Sequence, residues 1–422
     1  MKKPIDTIHE YQFLFDIIIT MDIVITTLFG LETLTRIDLE SCGYIRDQIQ
    51  VSDGQVVLTV PDDGFADDIA RVNMFCGCAE RVFFSVGDFR AEDFDMFFDE
   101  TAALPWAEFI PEDRAFVITG YSRKSKLFGV PAMQSLAKKA VCRSLARAKG
   151  LPEDSPVTED SSLGTVKIQF AMVSDNCRML IDTTGAGLHK RGYRPLTHEA
   201  PIRETLALAM VRLAGFRPFS EEAMYDPFCG SGTIVIEAAR YALGIAPGRD
   251  RMFGYTDLPY IGRKPLIRAR EEACDKEDLS PLDDIFFSGS DIDRKAVASA
   301  KANAESAGVA DFVRFDIKDA LRMDPARLTE DTGFARNIVI TNPPYGGRLM
   351  TPEEAAEIYK EVARLYLTPR GMCRRGIRLS VITPDNDFEK ATGFKADKRY
   401  KLYNGNKVCH LNNYYKLDKE NG

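Results

Sequence analysis

Two short stretches hold residue types whose spacing can do chemistry. The first is Tyr225-Asp226-Pro227-Phe228-Cys229-Gly230-Ser231-Gly232-Thr233, entered by an apolar, strand-like run at 223–225 and followed by a helix-like run at 234–239. Its two glycines and serine let the backbone turn sharply and meet a ligand with no side chain in the way, while the helix start presents unpaired N–H groups to an anion. The loop lacks the Gly-Lys-Ser/Thr ending of a phosphate-binding loop, and Val235 stands where a dinucleotide loop carries its third glycine. A tight strand-to-helix connection would need the same glycines, so a second stretch has to decide. That stretch is Asn342-Pro343-Pro344-Tyr345, after the apolar run at 338–341. Two prolines stop a central strand and leave Asn342 at its carboxyl end, where open α/β sheets place ligand chemistry.

Composition bounds what these stretches serve. A chain of 422 residues is long enough for about three domains. With 45% hydrophobic and 28% charged residues it can bury a full core. Its nine cysteines are scattered, with no Cys-x-x-Cys pair and only four histidines, which opposes a metal centre or a disulfide framework and fits a reducing cytoplasm. Cys76 and Cys78 read as small buried residues. The apolar run from Phe13 to Leu31 is interrupted by Asp16 and Asp22, and a charge at a helix centre costs about 2.5–3.5 kcal/mol on insertion scales, so no membrane span is expected.

The elements that position the two stretches follow from periodicity and punctuation. Strands are expected at 21–27, 55–60 and 81–87, with helices opening at Gly30-Leu31-Glu32 and over 66–75. Phe94, Phe97 and Phe98, at helical spacing, read as core. A strand at 115–122 runs into the basic turn Arg123-Lys124-Ser125-Lys126-Leu127, and Pro131 opens a helix through Arg147. Strands at 165–173 and 178–183 form a hairpin. From Ala200 helix and strand alternate, the pattern of a parallel sheet. A helix over 201–213 precedes the glycine loop, whose own helix runs to about Leu243. An insertion over 244–284, with Arg263, Lys264, Arg268 and Arg270, has no evident duty. Strands at 285–291 and 312–315 flank a helix over 294–307. After Asn342 come a helix from Pro352, a strand at 377–383 and a final pair near 400–402 and 407–415.

The net charge of −8 taken alone opposes nucleic acid, but cations cluster. They gather at Arg123, Lys124 and Lys126, at Lys138, Lys139, Arg143, Arg147 and Lys149, and at Lys190, Arg191 and Arg194. A local basic face fits salt-sensitive nucleic-acid binding, and a solvated helix face is the alternative for the helical group.

The motifs at 226–233 and 342–345 together resemble the S-adenosylmethionine-dependent methyltransferases that modify planar exocyclic or amide nitrogens. Residues of about 21–186 resemble a ferredoxin-like unit followed by a THUMP domain, an RNA-binding module of RNA-modifying enzymes. Lys124-Ser125-Lys126-Leu127 and the Gly- and cation-rich segment 185–194 carry that likeness. The whole resembles bacterial large-subunit rRNA guanine-N2 methyltransferases. This implies an α/β fold, with a Rossmann-like class I methyltransferase domain on a mostly parallel seven-stranded sheet, preceded by an α+β ferredoxin-like and THUMP region. The expected division is an extension over 1–20, a ferredoxin-like unit over 21–64, THUMP over 65–186, a linker over 187–199 and the methyltransferase domain over 200–422. The implied cofactor is S-adenosyl-L-methionine and the implied partner is RNA, rRNA first and tRNA second, with no metal and no membrane. The implied product is N2-methylguanosine in large-subunit rRNA. Alternatives are the same chemistry on tRNA, and DNA adenine or protein glutamine methylation, neither of which explains residues 21–194. A non-catalytic RNA-binding factor would not need both motifs.

The resemblance also implies roles. Asp226, Phe228, Cys229, Gly230, Ser231 and Gly232 would shape the cofactor turn, Asp226 either meeting the cofactor ammonium or holding the turn. Asp291, ending the second strand, would bind ribose hydroxyls, although it lies much farther from the glycines than the ~20 residues of dinucleotide folds. Asp319 matches the acid that meets the adenine amine, with Asp316 its rival. Asn342 and the Pro343 carbonyl would accept the N–H bonds of the substrate amine beside Pro344, and Tyr345 would stack on a flipped base. Arg123, Lys124, Lys126, Lys138, Lys139, Lys190, Arg191 and Arg194 would hold RNA. The family's usual Tyr-Gly-Glu-Arg reads Tyr345-Gly346-Gly347-Arg348 here, which puts base placement in question.

Overall fold

A computed structural model describes residues 20–194, 202–280, 286–345, 350–405 and 407–418. Expectations on 1–19, on 195–199 and on Gly347 lie outside the described residues. The first half holds β1 (Thr20–Thr27), α1 (Glu32–Ser41), β2 (Ile49–Ser52), β3 (Gln55–Pro61), α2 (Phe65–Phe75), β4 (Ala79–Arg90), α3 (Phe94–Ala103), α4 (Trp106–Phe109), β5 (Arg114–Arg123), α5 (Val130–Ala148), β6 (Asp160–Val173) and β7 (Asn176–Asp182). They form one seven-stranded sheet in the order β2-β3-β1-β4-β7-β6-β5. The first four strands with α1 and α2 wind as βαββαβ, a ferredoxin-like unit that is complete only with β4, so the expected cut at 64 falls between β3 and α2. β4 is long enough, at 12 residues, to pair β1 along one edge and β7 along the other. One sheet thereby carries both units. β6 and β7 join as the expected hairpin, with Ser174 and Asp175 both at positive φ, which matches the right-handed twist of the strands. Of the three phenylalanines read as core, Phe97 is buried, whereas Phe94 is exposed and Phe98 lies under the Arg143 guanidinium at 4.3 Å.

The second half holds α6 (Glu204–Leu213), β8 (Glu222–Asp226), α7 (Thr233–Ala242), α8 (Lys264–Asp275), β9 (Phe287–Asp291), α9 (Arg294–Ser306), β10 (Val313–Ile317), α10 (Pro325–Thr332), β11 (Arg336–Thr341), α11 (Pro352–Tyr366), β12 (Ile377–Pro384), α12 (Asp387–Thr392), β13 (Lys398–Asn404) and β14 (Lys407–Tyr414). The sheet order is β10-β9-β8-β11-β12-β14-β13, in which β14 runs against its neighbours. Parallel strands between two helical layers are buried on both faces, and every residue of β8 is buried accordingly. The expected Rossmann-like, mostly parallel sheet is what the chain forms.

The insertion has a clear duty: it straps the halves together. α8 lies on α2, where Arg71 grips Glu272 with two hydrogen bonds of 2.8 and 3.0 Å and Arg268 pairs with Asp67. Arg251, nearly buried, donates to the carbonyls of Thr184, Ala186, Gly187 and Lys190. The Tyr255 N–H donates to the Thr183 carbonyl at 2.8 Å. Arg212 to Asp38, at 2.5 Å, and Arg203 to Glu80, at 2.7 Å, add ion pairs across the same junction. All nine cysteines are free thiols, and Cys76 and Cys78 are buried as expected. Removing the Arg251 fork leaves several buried carbonyls without a donor, which costs about 3 kcal/mol. Arg251→Met is expected to lower the melting temperature by several degrees and to split one calorimetric transition into two. A single unshifted transition would show that the strap contributes nothing.

Candidate active site

The glycine turn, the carboxyl ends of β9 and β10 and the Asn342 segment surround one cleft of about 470 Å³. Asp226, Pro227, Phe228, Cys229, Gly230, Ser231, Asp291, Asp319, Asn342 and Pro344 all line it, so two motifs more than a hundred residues apart in sequence meet. Asp226, 1% exposed, accepts the Phe228 N–H at 3.1 Å and the Thr341 hydroxyl at 2.6 Å. One carboxylate therefore ties the turn after β8 to the end of β11, immediately before Asn342. Asp291 accepts the Gly230 N–H at 3.0 Å through one oxygen and the Asp293 N–H at 2.9 Å through the other. Asp319 caps the next turn by accepting from the Leu321 N–H at 3.0 Å and pairs with Arg322. Asp316 pairs instead with Arg314 and Lys318 and does not line the cleft.

The two glycines divide their work. Gly230, at φ +51°, has nothing within 4 Å of where a Cβ would stand, so its bare face opens on the cleft side of the turn. Gly232, at φ +81°, would place a Cβ 2.8 Å from the Phe315 ring and 3.0 Å from Ala300. Its bareness serves packing of the turn on α9 and β10.

Asn342 makes no side-chain hydrogen bond among the described residues, although it is only half-exposed. It lines the cleft, where its amide is free, among the described residues, to hold a substrate group. Tyr345 accepts from the Asn404 amide at 3.2 Å, and the Lys407 ammonium stands over its ring at 5.1 Å. α11 separates two spaces. Ile358 faces the cleft, while Tyr359 borders a second hollow of about 630 Å³ with Asp385, Asp387, Lys390 and Lys407. The Tyr359 hydroxyl is buried there without a partner among the described residues.

Sequence reasoning missed Thr341, Ile292 and Tyr359. Ile292 follows the strand-end acid and is 69% exposed, an apolar side chain offered to the cleft beside Asp291. An isoleucine directly after a strand-end acid was a usable signal. Nothing in the sequence pointed to Tyr359.

The expected RNA residues separate into two groups. Arg123, Lys124, Lys139 and Lys190 are exposed and have no ion pair among the described residues, and Lys126 is exposed with Glu92 beside it. Arg191 is a correction: 1% exposed, it donates to the Leu188 and Gly77 carbonyls and pairs with Glu237. Arg194 is another, held by Glu204 and donating to Thr233. The segment they occupy is packed, with Tyr193 donating to Glu237 at 2.9 Å, so it is not an open loop. Lys138 donates to Glu159 and to the Phe116 carbonyl, while Arg143 and Arg147 share Glu153 and Lys149 meets Glu112. The helix α5 therefore presents a largely neutralised face, as the solvated-face alternative requires.

The cleft fits a cofactor that is cationic at one end and carries a nucleoside at the other. Carboxylates stand at three strand ends, with an apolar side chain at Ile292 and a bare turn at Gly230. Among the described residues no group of His, Cys, Asp and Glu is placed to hold a metal, and no helix is long and apolar enough to cross a membrane. Burial pushes the Asp226 carboxyl up to about 7, against the hydrogen bonds from Thr341 and Phe228 that lower it. A raised folded pKa means the native state holds the proton longer than the unfolded chain. Its stabilising contribution is complete below about pH 4 and disappears as pH rises through about 7. Asp226→Asn is expected to flatten that part of the stability–pH curve, measured by denaturant midpoints from pH 4 to 8; an unchanged slope would contradict the assignment. For the glycines, Gly230→Asn, a residue that tolerates positive φ, is expected to keep the fold and to weaken S-adenosylmethionine binding strongly by calorimetry. Gly232→Val is expected to unfold the second half, and a well-folded Gly232→Val protein would contradict the packing argument.

Three family models match the chain. The ferredoxin-like domain of RlmL matches residues 22–83, the THUMP domain 91–179 and the RMKL-like methyltransferase domain 191–413. A provisionally named RNA methyltransferase of Bacillus subtilis (strain 168), YpsC, is 35% identical over 91% of this chain and 93% of its own length. The ribosomal RNA large subunit methyltransferase K/L of Vibrio cholerae is 31% identical, and this chain spans about half of it, 52%. Among solved structures, SMU.472 in complex with S-adenosylhomocysteine is similar at a TM-score of 0.80 and 32% identity, covering 94% of this chain and 99% of that one. A protein of Listeria monocytogenes str. 4b F2365, named as a predicted N6-adenine-specific DNA methylase, is similar at 0.81 and 33%, covering 94% and 97%. With one family model spanning more than half of it and a relative matched almost end to end, the chain belongs to the RMKL-like methyltransferase family, whose cofactor is S-adenosylmethionine.

Proposed function

We propose that the protein transfers a methyl group to the exocyclic N2 amine of guanine in large-subunit ribosomal RNA, in the cytoplasm. The observation that carries the chemistry is the unpaired Asn342 amide in the cleft, fixed behind two prolines and beside Tyr345. An aromatic amine is a poor nucleophile because its lone pair is delocalised into the ring. With the Asn342 side-chain oxygen and the Pro343 carbonyl accepting its two N–H bonds, the nitrogen becomes pyramidal and its lone pair is free. Those acceptors strengthen as positive charge grows on nitrogen, so they favour the transition state over the ground state. The bound cofactor supplies the methyl group. Tyr345, half-buried with the Lys407 ammonium over its ring, is taken as the aromatic partner of a base removed from its stack, and the neighbouring hollow that Lys407 also lines has room for one.

The motif alone does not choose between guanine and adenine, and one relative is named for adenine in DNA. What supports RNA is the first half: a ferredoxin-like unit and a THUMP domain on one sheet, tied by the 244–280 strap to the methyltransferase half. The relatives named for large-subunit rRNA support that target. Flipping a base costs a few kcal/mol, so naked rRNA is expected to be a better substrate than assembled subunits.

Asn342→Ala is expected to lower the single-turnover rate on the order of 10²–10³-fold while leaving S-adenosylmethionine affinity within a factor of two, since its amide acts on the substrate nitrogen. Near-normal turnover would rule the role out. Labelled methyl transfer to naked large-subunit rRNA, followed by nucleoside analysis, is expected to give N2-methylguanosine. N6-methyladenosine, or methylation of tRNA alone, would overturn the substrate reading.

A further inference from the structure

Phe128 is 83% exposed, more than any other large apolar side chain among the described residues. Its neighbour Leu127 is buried, and α5 begins two residues later, so the ring stands out from a turn with little freedom to fold it back. The turn is cross-tied. The Lys126 N–H donates to the Asp175 carboxylate at 2.7 Å, and the Asp175 N–H donates to Ser125 Oγ at 3.0 Å. Ser125 Oγ donates to the Arg123 carbonyl, which also accepts the Ser174 N–H at 3.1 Å, and Ser122 Oγ donates to the Leu127 carbonyl. These hydrogen bonds fix the backbone from which the ring projects, so the cost of ordering the turn is met before a ligand arrives.

The charges around it select the ligand. Arg123 and Lys124 are exposed and unpaired among the described residues, and Tyr121, 40% exposed, lies two residues from Arg123 on the same face of β5. Cations beside an exposed ring match a ligand that alternates flat apolar faces with anions, which is single-stranded nucleic acid. A paired helix hides its base faces, so the ring can reach only an unpaired nucleotide. We propose that Phe128 is a stacking subsite for one unpaired nucleobase of the RNA substrate, with Arg123 and Lys124 on the adjoining phosphates. The proposal rests on the reading of RNA as substrate and adds a base contact that none of the expected cationic residues supplies.

The test uses the full chain and a fluorescein-labelled oligocytidylate 12-mer, alone and annealed to its complement. Phe128→Ala is expected to weaken single-strand binding about five- to a hundredfold, with duplex binding, cofactor affinity and melting temperature unchanged. Phe128→Trp is expected to bind as well as the unaltered protein. The chain's one natural tryptophan, Trp106, is buried, so quenching of the new indole by the single strand reads stacking directly. Unchanged single-strand affinity in Phe128→Ala, or no quenching of Phe128→Trp with RNA bound, overturns the proposal. Arg123→Glu with Lys124→Glu separates the two readings. If this pair weakens binding while Phe128→Ala does not, RNA recognition stands and stacking falls. If the unaltered chain binds neither single strand nor duplex, both fall.

Discussion

The arrangement depends on one buried carboxylate. Asp226 ends β8 and holds, through a backbone N–H and a threonine hydroxyl, the loops that follow two adjacent parallel strands. Neither loop is regular structure, and both line the same cleft. Strand pairing aligns β8 and β11 only up to their ends. Beyond that point side-chain contacts position the glycine turn and the start of the Asn-Pro-Pro-Tyr segment, and Asp226 bonds to both sides. Burying this acid raises its pKa toward 7, the thermodynamic cost of placing a carboxylate where two loops converge.

A second constraint acts at the scale of the halves. A substrate-holding region helps a catalytic cleft only if the two keep a fixed separation, and an ordinary linker would let them drift. Here the segment after Arg194 is preceded by a packed turn in which Arg191, Tyr193 and Glu237 form a buried network. The strap, residues 244–280, then crosses back from the second half to grip α2 and the end of β7. Arg251 is informative because its hydrogen bonds among the described residues go to four carbonyls, and burial with like charges nearby pushes its pKa down to about 10, against the attraction of Asp182. A charge kept in such a place serves geometry.

Much of this was legible in the sequence, for identifiable reasons. Strands β1, β3, β8 and β11 announce themselves through alternation or unbroken apolar runs, and the two motifs converge because strand-end positions in a parallel sheet share one edge. The cations were harder. Lys138, Arg191 and Arg194 sit in runs that read as a basic surface, yet their partners Glu159, Glu237 and Glu204 come from elsewhere in the chain, and no local pattern shows that. The same limit hid the strap, since the duty of Arg268 and Glu272 is set by Asp67 and Arg71, two hundred residues earlier. The packing duty of Gly232 was equally hidden, because Phe315 lies beside it only in the folded chain.

The most direct measurement is the single-turnover methyl-transfer rate of Thr341→Val, with cofactor and RNA affinities determined on the same protein. Valine keeps the shape of threonine and deletes only the hydroxyl that Asp226 accepts. Since Thr341 touches Asp226 and precedes Asn342, loss of that bond should loosen the catalytic segment without altering either binding surface. The account predicts a rate lower by about tenfold, corresponding to one hydrogen bond of roughly 1–1.5 kcal/mol, with both affinities within a factor of two. An unchanged rate would contradict the claim that the buried carboxylate couples the glycine turn to the asparagine proposed to act on the substrate amine.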